Sequence, residues 1–376
     1  MSKMMGLNSG PKARSVRSLP LKDWPAADRN AWEAACQQAH RLTRGGAASH
    51  LAEVTRADLA RRYGYFLDFL ARSDRLDATA PPATLVTPDS INAFIKELEA
   101  RVSSVTVSQT IYKVRRAAEC IAPGLRFGWL AEIGKDLALL ERPKDKFDRI
   151  VPTERLTEAG LSLIEEAEAD TSSPLLRRAL LGRNGLMISL LAQCPVRLKN
   201  FAALAIGQSF VKLETEWWIE LSKTKGGRPD HRPVPTFLTP FINRYLEVYR
   251  PILLRASSSL EVPRGIEEIS FHESSHVSLD RSRSALWISR LGDPLSYDSV
   301  AQAITKTTQM TVGVPVSPHL FRSCCATSAA LHAPQSPHLA SALLQHADPR
   351  VKEEHYVRAS SLSVARDFSA IVRRMR

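Results

Sequence analysis

The stretch "WWIELSKTKGGRPDHRPVP", Trp217 to Pro235, is where the periodicity of this sequence changes. Apolar and polar residues alternate through Trp217–Leu221, the chain turns at Gly226–Gly227, and the return runs toward Val234. That pattern predicts a β-hairpin, because alternating side chains of a strand point to opposite faces. Almost everything around it has helical spacing. The sequence therefore predicts a mainly α protein with a small β-sheet.

Upstream of the hairpin, "PTERLTEAGLSLIEEAEAD" and "SPLLRRALLGRNGLMISLLAQC" read as helices. Before them lies "ERPKDKFDRIVPTERL", charged, bracketed by prolines and poor in apolar residues, which has the composition of a linker over 141–155. Residues 25–140 read as a compact helical domain of about four helices. "PAADRNAWEAACQQAHRLT" opens behind Pro25. "VTRADLARRYGYFLDFLARSDRL" follows, with Thr55 as N-cap and Leu59, Tyr63, Leu67 and Leu70 on one stripe. A third helix restarts at "TPDS", and "SSVTVSQTIYKVRRAAECIAP" is ended by Pro123. Residues 1–24 read as a flexible basic tail without the apolar core of a secretory signal.

Downstream, "PTFLTPFINRYLEVYRPILL" is helical, Ser257 to about Ser284 is serine-rich and reads as a loop, and "ALWIS" reads as a short strand. Helices are expected from Ser296, Pro318 and Pro337. Residues 156–376 thus form a second domain.

The chain carries 51 Lys+Arg against 39 Asp+Glu, a net charge of +12, with pI about 9.7. Residues 1–150 carry +7 and residues 151–376 carry +5. Two basic halves suit a partner with a phosphate backbone, or simply a basic soluble protein. No apolar run approaches the roughly 18 residues of a membrane helix. Cys36, Cys120, Cys194, Cys324 and Cys325 are odd in number and lack metal-ligand spacing, so free thiols in a reducing, cytoplasmic compartment are expected.

Several cations stand at positions worth weighing. Arg197 follows a proline break in "CPVRLKNFAAL", where an arginine is most often a structural ion pair. Lys223 and Lys225 lie near the hairpin tip, followed by Arg228. "PHLFRSCCATSAAL" places His319 and Arg322 on one helix face, with Leu320, Phe321, Cys324 and Ala326 on the other. His346 ends the apolar "LASALLQ". Tyr356 stands in "HADPRVKEEHYVRAS" between His355 and Arg358, where a phenol of ordinary pKa near 10 would be reactive only among cations. Lys113, Arg115 and Arg116 cluster on one predicted helix, as a solvated face or as DNA contacts.

Taken in order, Arg, hairpin Lys, His-x-x-Arg, His and Tyr resemble the tyrosine recombinases, the phage integrases and Xer-like enzymes. The resemblance is carried by "PHLFRS", "LLQHADPRVKEEHYVRA", "PVRLKNFAAL" and "ELSKTKGG". It implies a helical, SAM-like core-binding domain followed by an α+β catalytic domain. It further implies Tyr356 as nucleophile, with Arg197, Lys223, His319, Arg322 and His346 as its catalytic partners; Lys225 stands as an alternative to Lys223. Lys113, Arg115, Arg116, Lys225 and Arg228 are candidate DNA contacts.

The implied reaction cuts and rejoins DNA through a 3′-phosphotyrosine. It needs no metal or other cofactor. The implied partners are double-stranded DNA, three further copies of the chain on paired sites, and other recombinases of the same mobile element, in a cytoplasmic, nucleoid-associated setting without a membrane. Three departures stand out: Asn200 replaces a glutamate common three residues after the first arginine, Gln345 replaces a glycine, and the His346–Tyr356 spacing is one longer. The alternatives are a silent accessory DNA-binding subunit and a type IB topoisomerase. A hydrolase using Ser323 or Cys324 beside His319 is a more distant one, because no nucleophile elbow accompanies them.

Overall fold

The computed structural model describes residues 17–42, 44–143, 146–222, 224, 229–258 and 284–333. The chain divides into two compact units, 1–145 and 146–376.

Among its described residues the first unit holds five α-helices: α1 (Ala26–Cys36), α2 (Glu53–Arg72), α3 (Pro88–Glu99), α4 (Ser104–Ile121) and α5 (Gly128–Leu139). The stripe expected on α2 is its buried face: Leu59, Tyr63, Leu67 and Leu70 are all in the core. There they meet Phe94 of α3 and Ile111 and Val114 of α4. Trp24 packs tilted against Tyr63 at 5.1 Å and Phe66 meets Phe94 edge-on at 5.5 Å. α3 begins as the sequence suggests, with Thr87 and Ser90 closing a reciprocal cap.

Three local expectations are corrected here. Helix α2 begins two residues before Thr55, with Ala52 as N-cap, so the Thr55 amide donates to the Ala52 carbonyl at 2.9 Å. Helix α1 ends at Cys36, where the chain folds back and the Gly46 amide donates to the Gln37 carbonyl. And α5 was not foreseen; of its apolar residues only Leu130 is fully buried, so its stripe is weak.

The second unit is built on α6 (Thr153–Ala169) and α7 (Leu175–Gln193). They approach at Gly160 and Gly185: a Cβ on Gly160 would sit 2.6 Å from the Gly185 carbonyl oxygen. Helix α7 is apolar on nearly all sides because it is covered on nearly all sides, by α6, by the helix from Thr239 to Ser258, by α11 (Tyr297–Val312) and by α12 (Pro318–His332). The Thr239–Ser258 helix comprises α9 (Thr239–Arg244), a π-helical turn at Tyr245–Tyr249 and α10 (Arg250–Ser258). A short α8 (Leu198–Ala202) leads from α7 into the sheet.

That sheet has three antiparallel strands in the order β1 (Phe210–Leu213), β2 (Glu216–Leu221), β3 (Asp230–Pro233). The hairpin read from the sequence is β2–β3, with Leu221 opposite Asp230 and Trp218 opposite Pro233. Strand β1 was hidden because its turn uses Glu214 at φ 53°, not the glycine or asparagine that usually marks a two-residue turn. "ALWIS" is not a strand: only Ala285 and Ile288 form isolated bridges. The segment is held from outside, since Arg250 donates to the Ala285 carbonyl, Tyr245 to that of Leu286 and Arg183 to that of Ile288. The expected helix from Pro337 and most of the serine-rich loop lie outside the described residues.

Candidate functional site

Helix α7 stops at Gln193, Pro195 prevents its continuation, and Arg197 becomes the N-cap of α8 with extended backbone (φ −65°, ψ 140°). The Asn200 and Phe201 amides both donate to the Arg197 carbonyl at 2.9 Å, and Phe201 is fully buried. The backbone of Arg197 is thus fixed while its side chain stays half-buried. Among the described residues, nothing accepts a hydrogen bond from its guanidinium. Asn200 stands one turn further on, and no carboxylate replaces it within α8.

Helix α12 brings the second arginine. Pro318 occupies its first turn, His319 is exposed, and Arg322 is only 5% exposed. Leu320, Phe321, Cys324 and Ala326 are buried, which fixes the helix against α6 and α7. Arg322 Nη1 donates to the Pro195 carbonyl. The proline that breaks α7 therefore also ties Arg322 to the segment leading into Arg197.

The third arginine was not foreseen. Asp230 and Arg232, two apart on β3, point to the same side as the buried Ile219 and Leu221 of β2. Arg232 Nε donates to Asp230 Oδ1 at 2.9 Å, with side chains 11% and 9% exposed. Strand β3 is tied to the α7 end as well, where Cys194 Sγ contacts the Pro233 carbonyl at 3.9 Å. The signal was in the sequence: in "DHRPV" the charges fall on the inward phase of an alternating strand.

The electrostatics bring these groups together. Burial pushes the Arg322 guanidinium down to about 10, with Arg197 and then Arg232 reinforcing it, while Cys325 and Asp230 act weakly the other way. His319 is also lowered, first because the protein around it withdraws solvent, then by the positive charges of Lys146, Arg322 and Arg197. Five groups able to carry positive charge, Lys146, Arg197, Arg232, His319 and Arg322, thus share one locality. Lys146 lies in the stretch whose composition reads as a linker. Such a cluster is poised for an anion with several oxygens, to which arginine forks fit in pairs.

The thiols beside it are not nucleophiles. Cys324 is fully buried and pushed up to about 11, chiefly by desolvation, and its sulfur accepts the Val151 amide at 3.4 Å. This removes the cysteine version of the hydrolase alternative. Among the described residues, no three His, Cys, Asp or Glu could together hold a metal ion, and no helix is long and apolar enough to cross a membrane.

Of the other residues singled out, Lys113, Arg115 and Arg116 lie on α4 of the first unit. Lys113 pairs with Asp58 at 2.5 Å, Arg115 with Glu119 at 2.7 Å and Arg116 with Glu119 at 3.7 Å. Arg115 also lies over the Tyr112 ring at 5.5 Å. Lys223, Lys225, Arg228, His346 and Tyr356 lie outside the described residues.

No protein-family model matches the sequence, and no curated protein matches it. Among solved structures, the chain is similar to the XerH site-specific recombinase bound to a palindromic difH substrate in a post-cleavage complex. The TM-score is 0.50 at 13% identity, covering 80% of this chain and 75% of that one. The fold is that of the tyrosine recombinases. A lambda integrase (75–356) dimer bound to a COC′ core site also matches, with TM-score 0.49, 15% identity and coverage of 82% and 90%. So does XerA recombinase, with TM-score 0.35, 16% identity and coverage of 85% and 94%. Within this fold, β3, the turn into α8 and α12 contribute Arg232, Arg197 and Arg322 to one cationic cluster.

Proposed function

We propose that this protein is a site-specific DNA recombinase that cuts and rejoins DNA through a 3′-phosphotyrosine, moving a mobile element by integration, excision or transposition. One observation carries the reading: a buried arginine, Arg322, is held beside two further arginines in surroundings that lower its own proton affinity. An arginine so placed is stabilised by an anion with several oxygens, and a DNA phosphodiester supplies both oxygens and charge. The tyrosine-recombinase fold and the six family positions of the sequence support the same reading.

In the proposed reaction the Tyr356 oxygen attacks phosphorus, forming the Tyr–O–P bond while the P–O5′ bond breaks. The phenolic proton leaves to a neighbouring base, for which His319 and His346 are the candidates. Lys223 delivers a proton to the departing 5′ oxygen as general acid. Arg197 and Arg322 meet the non-bridging oxygens, whose charge grows in the transition state. His319, whose proton affinity is lowered by desolvation and then by its cationic neighbours, can accept or donate there. The phosphotyrosine keeps the bond energy, so a second 5′ hydroxyl reverses the step and no other cofactor enters. Double-stranded DNA is the proposed partner, with four copies assembling on paired sites and other recombinases of the element joining them. Residues 25–140 are proposed as the core-binding domain and 156–376 as the catalytic domain.

The test is covalent trapping on nicked duplexes drawn from the DNA flanking the gene, with wild type and Tyr356→Phe compared on denaturing gels. An adduct in wild type alone supports the reading and locates the cleavage site. Specific DNA binding without an adduct replaces it by the silent accessory subunit. Relaxation of supercoiled DNA without site preference replaces it by a topoisomerase.

A further inference from the structure

We propose that Arg232 of β3 meets a DNA phosphate beside Arg197 and Arg322, and that Asp230 is the positioning residue that turns it there. This rests on the recombinase reading and adds to the site a strand that the sequence pattern had left out of it.

The argument begins with cost. The inward face of a small sheet is where apolar residues belong, and Trp217, Ile219 and Leu221 of β2 obey that rule. Asp230 and Arg232 break it on the neighbouring strand. A largely buried ion pair gives little net stability, since desolvation offsets most of the attraction. Packing alone therefore does not account for the pair.

Geometry gives it a purpose. Asp230 takes the Arg232 Nε–H at 2.9 Å, which restrains the plane of the guanidinium and leaves its two terminal nitrogens outside that bond. Among the described residues no second acceptor takes them. Strand β3 touches the end of α7 through Pro233 and Cys194, and the next residue, Pro195, receives Arg322. Arg197 follows two residues later. Arg232 is accordingly anchored from behind and close enough to Arg322 and Cys325 for its charge to act on both. Asp230 also acts on Arg322, so one carboxylate serves two arginines.

The experiment uses the full-length chain and the nicked duplex that traps the adduct. Single-turnover adduct formation, equilibrium binding across a salt titration, and thermal melting are measured for Arg232→Ala, Arg232→Lys, Asp230→Asn and Asp230→Glu. Arg232→Ala is expected to slow adduct formation about 100-fold at saturating DNA, the scale of one lost oxyanion contact. The slope of log affinity against log salt should fall by about one, the mark of one lost phosphate contact. Arg232→Lys should recover part of the rate and all of the slope. Asp230→Asn should slow the saturated rate about 10-fold with little change in half-saturating DNA or melting, and Asp230→Glu should recover it.

Adduct formation and salt slope both within error of wild type in Arg232→Ala overturn the proposal. So does loss of folding in every variant, because the pair is then structural. A wild type that forms no adduct sinks the recombinase reading instead, and the salt slope still decides whether Arg232 meets a phosphate.

Discussion

Arg322 donates to the carbonyl of Pro195, so the residue that ends α7 also orients the arginine that α12 contributes. One hydrogen bond couples three elements: the end of α7, the Arg197 turn and the first half of α12. Replacing Arg322 by Ala removes a charge and strands a buried carbonyl, which costs about 1–3 kcal/mol of stability. Adduct formation should fall by at least about 100-fold. Arg322→Lys should be little better, because a compact ammonium lacks the planar fork that lets one nitrogen hold Pro195 while the others face a phosphate. Melting curves and single-turnover trapping check both. Near-normal cleavage by Arg322→Lys would remove Arg322 from the site.

His319 gives a pH signature. Its folded value lies below the ordinary 6.5, because the surrounding protein withdraws solvent and Lys146, Arg322 and Arg197 repel a further charge. In the unliganded protein, stability from the neutral imidazole is therefore present above 6.5 and is lost as pH falls through the lowered value. A bound phosphate offsets those cations and raises the histidine again, so binding takes up a proton. DNA affinity should accordingly increase as pH is lowered from about 7 toward 5.5. The increase should vanish in His319→Asn. Fluorescence titrations at constant ionic strength measure it, and a pH-independent affinity in wild type speaks against a phosphate at His319.

Some of this was readable from the chain and some was not. The hairpin, the α2 stripe, the Thr87 cap and the position of Arg322 on α12 follow from local periodicity and short-range hydrogen bonding, which a single sequence records. Arg232 was missed because what marks it is its charge acting on Arg322, which comes from a helix ninety residues further along the chain. Strand β1 was missed because Glu214 takes a left-handed backbone that its side chain does not advertise. "ALWIS" looks like a strand because Leu286, Trp287 and Ile288 are all buried, yet its carbonyls are used by Tyr245, Arg183 and Arg250 instead of a ladder. Burial was legible there and pairing was not.

The α6–α7 contact carries its own prediction. A Cβ at Gly160 would meet Ser189 Oγ at 2.2 Å and the Gly185 carbonyl oxygen at 2.6 Å. The serine can rotate but the backbone cannot, so the helices must move apart. Gly160→Ala should destabilise the second unit by about 1–3 kcal/mol, the usual range for overpacking. Denaturant unfolding followed by a probe in that unit checks it, and an unchanged midpoint contradicts the close approach.

Cys324 separates the tyrosine mechanism from a thiol one. With its sulfur buried, held by the Val151 amide and pushed up to about 11, it should react with iodoacetamide at pH 8 far more slowly than an open thiol. Cys324→Ala should lose about 1 kcal/mol through lost packing, as ordinary buried substitutions do. Its adduct formation should stay within about threefold of wild type, since electrostatic contacts at the phosphate are untouched. Abolished cleavage in a folded Cys324→Ala protein contradicts this assignment.

The cations of α4 test whether the first unit touches DNA. Lys113, Arg115 and Arg116 each have a carboxylate partner, but these pairs are partly exposed and worth less than about 1 kcal/mol each. A DNA phosphate can therefore displace Asp58 or Glu119 at little cost. If all three meet phosphates, the triple alanine variant should flatten the slope of log affinity against log salt by about three. Its saturated adduct rate should be unchanged, because the proposed chemistry is assigned to the other unit. Loss of affinity at a constant slope would point to a disturbed fold of the unit. An unchanged affinity and slope would return all three residues to the role of surface ion pairs, leaving the first unit to meet DNA by another face.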